Sequence, residues 1–385
     1  MNKNMIKNKR KYLLFYLKTG GGHFAPASSL ANYFKRHHSA GVEPVLIDGF
    51  TRTNRIVKNL IEEGYRNLQS KAKWAYEALY AFNKISLFAR TSCFIVSKSS
   101  VKFIKEKIAE EKPEKIIILH FFLIEPVYEA VKKLKLSIPV FTIVTDPYTA
   151  HPMWFLRKDQ RFIIFSEKLK RALSQRIPPD RLNVFPFILE EKFSQPIPAS
   201  AIRRLKVEMG FDPGNKIILI LGGGDGIPHG RTILERTIAS KSGAGIAVVA
   251  GKNRSLYAAA KKLKEKHPDV PVKVYEFISF VYELLNISDV VITKGGASTI
   301  MEILILNKIP VVNNFIWEQE KGNIDFVEEN ELGIFERDIS AITEAVGRLI
   351  NDDEYYGKFI NNIKRLGIKN GVADVAEFLF GYPLN

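Results

Sequence analysis

The residues from Val291 to Glu302 join an apolar strand to a Gly295-Gly296 turn and then to a helix start. Ser298 and Thr299 stand near the cap of that helix, and one carboxylate, Glu302, lies a turn inside. Backbone N–H groups at a helix start have no intrahelical acceptor and attract phosphate oxygens. A carboxylate one turn further in can accept hydrogen bonds from the vicinal hydroxyls of a ribose. Diphosphate plus ribose is the handle of a nucleotide-sugar, so the pattern predicts a glycosyl-donor site in the C-terminal half. Gln319, Glu320 and Asn323 follow closely and offer further polar groups.

A second constellation lies near the N-terminus. Thr19-Gly20-Gly21-Gly22-His23 follows an apolar run and precedes a helix expected over Ala25–Phe34, with Pro26 in its first turn. The glycines let backbone N–H groups approach a substrate. His23 can take a proton from an attacking hydroxyl, or simply cap the helix. Gly20, Gly22 and Ala25 also match a dinucleotide fingerprint, with Asp48 at the end of the next strand, which keeps a nicotinamide reading open. His120 and Asp146 end other strand-like runs, and His151-Pro152-Met153-Trp154 follows. His23, His120, Asp146 and His151 can converge on one cleft. No metal-ligand helix spacing joins them, so no metal is expected. Asp352-Asp353-Glu354 reads as a solvated helix start.

A third glycine loop, Gly222-Gly223-Gly224-Asp225-Gly226, lacks the Lys-Ser/Thr of a nucleotide-hydrolase phosphate loop. Glycine loops after the first strand of each half predict a ligand held between the carboxyl edges of facing sheets.

These loops need strands to position them. Apolar runs at Tyr12–Leu17, Glu43–Ile47, Lys115–Leu119, Val140–Thr145 and Arg161–Phe165 alternate with helix-like stretches. So do runs at Lys216–Leu221, Ile246–Ala250, Val272–Glu276, Asp289–Thr293 and Ile309–Asn313. Short continuous apolar runs suit parallel strands buried on both faces, so the fold class is α/β with two Rossmann-like halves. Three prolines between Phe185 and Pro198 mark the join. The expected domains are 1–193, on the acceptor side, and 194–370, on the donor side, with 371–385 read as a segment that can cross back to the first.

The 385 residues are 46% hydrophobic and 25% charged, which excludes a disordered chain. The single cysteine, Cys93, forbids an intrachain disulfide and fits a reducing compartment. The N-terminus reads as a basic overhang and a first strand, not a signal peptide. Charge is lopsided: residues 1–193 hold 34 Lys+Arg against 17 Asp+Glu, and residues 194–385 hold 23 against 24. A one-sided basic surface suits an anionic partner, a membrane or a nucleic acid. Residues 52–110 carry Tyr65, Trp74, Tyr76, Tyr80, Phe82, Phe88 and Phe94 among Lys and Arg, without clear strands. Such a mix suits amphipathic helices at a membrane surface, or an ordinary helical core.

Taken in order, Gly20–His23, His120, Asp146 with His151–Trp154, Gly222–Gly226, Lys294–Glu302 and Gln319–Asn323 resemble the monogalactosyldiacylglycerol synthases and processive diacylglycerol glucosyltransferases. The resemblance runs over about residues 12 to 340, and its C-terminal part is shared with MurG-type enzymes. It implies a GT-B fold, with two Rossmann-like domains facing across a cleft, and an inverting, metal-free transfer. The implied reaction moves galactose or glucose from a UDP-hexose to diacylglycerol to make a glycolipid. The alternative acceptor is a polyprenyl-linked cell-envelope precursor. By this resemblance Glu302 binds the ribose, Gly222, Gly223, Gly295 and Gly296 the diphosphate and donor, Phe277 and Ile278 the uracil, and Gln319 and Glu320 the sugar hydroxyls. Gly21, Gly22, His23, His151 and Trp154 fall on the acceptor side. His23 is the expected base, with Asp146 and His120 as rivals. No cofactor and no nucleic acid are expected; the location implied is peripheral, or monotopic, on the cytoplasmic face of the cell membrane. The chain departs from the family pattern at Gly295, Asp225 and Lys308, none of which removes a polar group that the chemistry needs.

Overall fold

The computed structural model describes residues 9–18, 21–52, 86–195, 197–316 and 318–384. Its apolar runs form two parallel sheets of six strands each. The chain divides into two compact units, Met1–Glu191 with Asn370–Asn385, and Lys192–Lys369.

The first unit contains β1 (Arg10–Tyr16), β2 (Val42–Asp48), β3 (Lys115–Ile118), β4 (Val140–Ile143), β5 (Arg161–Ile164) and β6 (Leu182–Val184), in the order β2-β1-β3-β4-β5-β6. The second contains β7 (Ile217–Leu221), β8 (Gly245–Val249), β9 (Val272–Tyr275), β10 (Val290–Lys294), β11 (Ile309–Asn314) and β12 (Ile334–Phe335), in the order β12-β11-β10-β7-β8-β9. The second order is that of a Rossmann sheet, and the first begins as a flavodoxin-like one. Central strands β3, β4, β7 and β8 are buried at every residue, as strands rich in Ile, Leu and Val are between two helical layers. The two edge strands β6 and β12, of three and two residues, were not expected. They are too short to show an apolar period.

Both strand orders reverse direction at one point. In the first sheet the reversal lies between β1 and β3, which pair through Phe15 and Ile118. In the second it lies between β7 and β10, which pair through Leu221 and Thr293. Helices leaving neighbouring strands on opposite faces open a crevice at the strands' carboxyl ends, where open α/β sheets take their ligands.

Six helices bear on the argument: α1 (Gly21–His37), α2 (Ser86–Glu111), α3 (Ile124–Lys133), α4 (Ala297–Ile305), α5 (Lys321–Glu329) and α6 (Val372–Gly381). The start expected for α1 at Ala25 is corrected to Gly21, so Pro26 lies inside the helix. A proline nitrogen cannot donate to the carbonyl four residues back, which here belongs to Gly22. Part of the 52–110 stretch is a helix, α2; Tyr65, Trp74, Tyr76, Tyr80 and Phe82 lie outside the described residues.

The C-terminal helix α6 packs on the first unit. Gly371 N–H donates to Phe187 C=O at 2.9 Å, where a Cβ on Gly371 would meet the Pro186 carbonyl. The wholly buried Lys115 donates its ammonium to the Leu379 and Tyr382 carbonyls, at 2.5 and 2.6 Å, and so holds the end of α6 against β3. Burial lowers this lysine to about 8. Among the described residues no helix is long and apolar enough to cross a membrane.

Candidate active site

Two polar clusters occupy the two reversal points. In the first unit, β1 leads into the glycine segment and α1, and His23 is the third residue of that helix. β3 leads directly to His120. The two imidazoles meet with ring centroids 4.4 Å apart. His23 Nδ1 lies 3.0 Å from Thr145 Oγ1, at the end of β4. The next residue, Asp146, accepts a hydrogen bond at Oδ2 from the Trp154 indole N–H at 2.9 Å. Trp154 is wholly buried, 6.2 and 6.4 Å from the rings of His23 and His120. Three chain segments, the start of α1, the turn after β3 and the connection from β4 to β5, thus bring His23, His120, Asp146 and Trp154 together.

The histidines differ in what they can do. His120 and His151 each start a 3-10 turn and accept the N–H two residues on at Nδ1, from Phe122 and Met153, both at 3.2 Å. An Nδ1 that accepts leaves the ring proton on Nε2, so the one lone pair able to take a substrate's proton is already engaged by the backbone. Both are buried, and His151 stands beside Phe121, at 5.9 Å between rings. His23 is buried too. Burial pushes it down to about 4, against the opposing pull of a hydrogen bond to the Leu119 backbone. Burial and the neighbouring His23 hold His120 well below its ordinary range. At neutral pH both rings are therefore neutral. Gly21 and Gly22 are exposed, and a Cβ on either would meet no described atom within 4 Å.

In the second unit, β7 ends in Gly222 and Gly223. A Cβ on Gly222 would lie 2.3 Å from the Gly226 backbone, and Gly223 has φ +74°, so the tight loop needs glycine at both. The neighbouring β10 ends in Lys294, whose Cε comes within 3.7 Å of the Cβ position of Gly223. Gly295 is packed so closely that a Cβ would meet Phe315 at 2.7 Å. Gly296, not Ser298 or Thr299, caps α4, and no side chain closes the cap. The first N–H groups of α4 therefore point out of the helix beside the glycine loop of β7. Ser298 and Thr299 each stand one turn before Glu302, at i, i+4 and i, i+3 spacing, and all three are half-buried.

Gln319 and Glu320 precede α5, also half-buried. Glu320 Oε2 accepts from the Ile316 N–H at 2.6 Å, and its Oε1 lies 3.7 Å from the Cβ position of Gly296. Asn323 is buried and donates to the Gly295 carbonyl at 2.8 Å, so it holds the turn in place. Phe277 and Ile278 follow β9. Phe277 is 64% exposed, with the Lys252 ammonium 5.7 Å from its ring centroid and its edge beside Gly224. An exposed aromatic ring at the rim of a phosphate-suited loop offers a stacking platform for a base. Asp352 caps the next-to-last helix by accepting from Tyr355 N–H at 2.9 Å.

Two residues in these clusters had no expected role. Thr145 meets His23, and its signal was its place beside Asp146 at a strand end. Lys294 brings a positive charge to the glycine loop of β7, and its signal was its place directly before the Gly-Gly turn.

Residues 23–186 match the family model for monogalactosyldiacylglycerol (MGDG) synthase, and residues 217–337 match that for the glycosyltransferase family 28 C-terminal domain. The chain is 26% identical over 374 residues to a processive diacylglycerol beta-glucosyltransferase of Bacillus pumilus, covering 97% of this chain and 95% of that protein. It is 26% identical over 382 residues to monogalactosyldiacylglycerol synthase 2, chloroplastic, of Arabidopsis thaliana, covering 96% and 80%. The crystal structure of Acinetobacter baumannii MurG superposes with a TM-score of 0.60 at 12% identity, over 97% of this chain and 100% of that one, which bears on the fold. Two six-stranded parallel sheets with these neighbours make a GT-B fold. The two matched segments fall on the two units that carry the clusters, and the chain is similar along nearly its whole length to MGDG synthases and processive diacylglycerol glucosyltransferases.

Proposed function

We propose that the protein is a hexosyltransferase that moves galactose or glucose from a UDP-sugar to diacylglycerol. The observation that carries this reading is the match of residues 23–186 to the MGDG synthase family, because that segment holds the acceptor-side cluster. The C-terminal match is to a wider family and supports the donor half alone.

The reaction is a single displacement. The free hydroxyl oxygen of diacylglycerol bonds to the anomeric carbon as the bond from that carbon to the diphosphate oxygen breaks. UDP leaves with the bonding pair, and the hydroxyl proton passes to a base. The charge that grows on the diphosphate is met by the N–H groups and dipole of α4, the glycine loop of β7 and the Lys294 ammonium. Glu302 accepts from the ribose hydroxyls, and Gln319 and Glu320 from the sugar. Phe277 and Ile278 hold the uracil.

His23 and Asp146 are the two candidate bases. The half-buried Asp146 carboxylate is held in place by Trp154. His23 is neutral at pH 7 but weakly basic, so it serves best with a partner that shares the proton, as its contact with Thr145 allows. His120 and His151, committed to their turns, position the loops.

Peripheral attachment to an anionic membrane, on its cytoplasmic face, completes the reading. The lopsided positive charge of residues 1–193 supports it. The direct test of the donor assignment is Glu302→Ala. UDP-sugar turnover should fall at least about a hundredfold with the circular dichroism spectrum unchanged, as expected when a hydrogen-bonded charge is lost from a binding site. Unchanged turnover would remove the assignment.

A further inference from the structure

Gln160 is wholly buried, and both ends of its side-chain amide are bonded. The NH2 group donates to two backbone carbonyls, of Trp154 at 3.1 Å and of Arg157 at 2.7 Å. Oε1 accepts from the hydroxyl of Thr142 at 2.5 Å, and Thr142 is itself buried in β4. Carbonyls only accept, so these two fix which end of the amide carries the protons. Gln160 stands directly before β5, where Phe162 pairs with Thr142. The bonds close a ring. The chain runs from Thr142 to Asp146, whose carboxylate takes the Trp154 indole N–H. The Trp154 carbonyl then returns through Gln160 to Thr142. The indole and the carboxylate it holds are thus referred to the same strand. A separate brace holds the acid's own turn: Ser166 Oγ donates to the carbonyl of Pro147, the residue after Asp146, at 2.6 Å.

We propose that Gln160 is a positioning residue for the transfer. It clamps the turn that carries Trp154 onto β4, so that the indole holds the Asp146 carboxylate in one orientation. This role rests on the reading above, in which Asp146 serves the acceptor. Burial alone does not require glutamine here. A methionine or leucine would fill the space with no polar group to satisfy. A buried amide with all its partners instead specifies one arrangement of the segments it joins. With no exposed surface, Gln160 acts on the reaction only through Trp154. That is enough to matter, because moving a reacting group by about 1 Å can cost about a hundredfold in rate.

Gln160→Met keeps the length of the side chain and removes both donors, and two readouts test it. The first is the nuclear magnetic resonance of the Trp154 indole N–H, identified by its loss in Trp154→Phe. It should move upfield in Gln160→Met as the bond to Asp146 lengthens. The second is hexose transfer to diacylglycerol. There kcat should fall about tenfold, with the KM for the UDP-sugar within about twofold of wild type. In a Trp154→Phe background the same substitution should cost less than about twofold more, because no indole donor is left to aim. An equal fold-loss in both backgrounds would show that Gln160 serves packing alone and would overturn the proposal. So would a wild-type kcat, or an unmoved indole resonance. If Gln160→Met does not fold, Thr142→Val takes its place. It keeps the shape of the threonine, frees the amide oxygen, and should shift kcat and the resonance in the same directions; wild-type values of both would overturn the clamp. The resonance does not depend on the acceptor. Failure of wild type to glycosylate diacylglycerol would therefore sink the proposed function, and the clamp would stand or fall on the resonance.

Discussion

The indole N–H of the wholly buried Trp154 donates to Asp146 Oδ2 at 2.9 Å. A residue with no exposed surface acts on a substrate through another group, and here that group is the carboxylate next in sequence to Thr145, which meets His23. The His-Pro-x-Trp sequence therefore works as a support: His151 caps the turn, and Trp154 aims the acid.

Trp154→Phe keeps the ring and removes the donor. A hydrogen bond to a charged group is worth about 1.5–3 kcal/mol, so kcat should fall about tenfold or more. The KM for the UDP-sugar should stay near wild type, since the donor residues lie in the other unit. Asp146→Asn should cost more, on the order of a hundredfold in kcat if the carboxylate takes the proton. Wild-type kcat in Trp154→Phe would contradict the support role.

The pH dependence of stability follows from His23. Its folded pKa is depressed from 6.5 to about 4 by burial. Between those values the unfolded chain binds more protons than the folded one, so stability is full above about pH 6.5 and is lost as pH falls toward 4. The loss from this group is on the order of 3 kcal/mol, and His120 adds to it in the same direction. Urea midpoints should therefore fall steeply over that range in wild type. They should fall less steeply in His23→Asn, which cannot titrate there. Parallel curves would show that His23 is not held neutral by the fold.

The glycines of the two clusters should respond in opposite ways. Gly222→Ala places a methyl 2.3 Å from backbone that has nowhere to move, so the melting temperature and UDP affinity should both drop. Gly22→Ala places one in open space within a helix, where alanine is favoured by up to about 1 kcal/mol. Its stability should hold or rise while the KM for the acceptor increases, because only a bound molecule meets the new methyl. A Gly22→Ala enzyme with unchanged acceptor KM would show that the acceptor does not approach this backbone.

The sequence was most legible where one residue type does one thing over several positions. Ten apolar runs became strands because each is long enough to be buried as a unit. Leu182–Val184 and Ile334–Phe335 were invisible because an edge strand of two or three residues has no pattern of its own. Histidines were harder to read. His23, His120 and His151 look alike in sequence, yet two of them spend Nδ1 on a backbone N–H two residues away. Asn323 likewise reads in sequence as a ligand of the donor, and its amide N–H braces Gly295. Side chains that reach a substrate and those that brace a loop carry the same polar groups. What separates them is burial, which depends on chain segments far away in sequence.

Incubation with UDP-glucose or UDP-galactose and vesicles containing diacylglycerol, with the lipid products identified by mass and sugar composition, tests the central claim most directly. The account predicts a monohexosyl diacylglycerol from at least one donor, absent with Glu302→Ala. Transfer to a polyprenyl-linked precursor with none to diacylglycerol would contradict it.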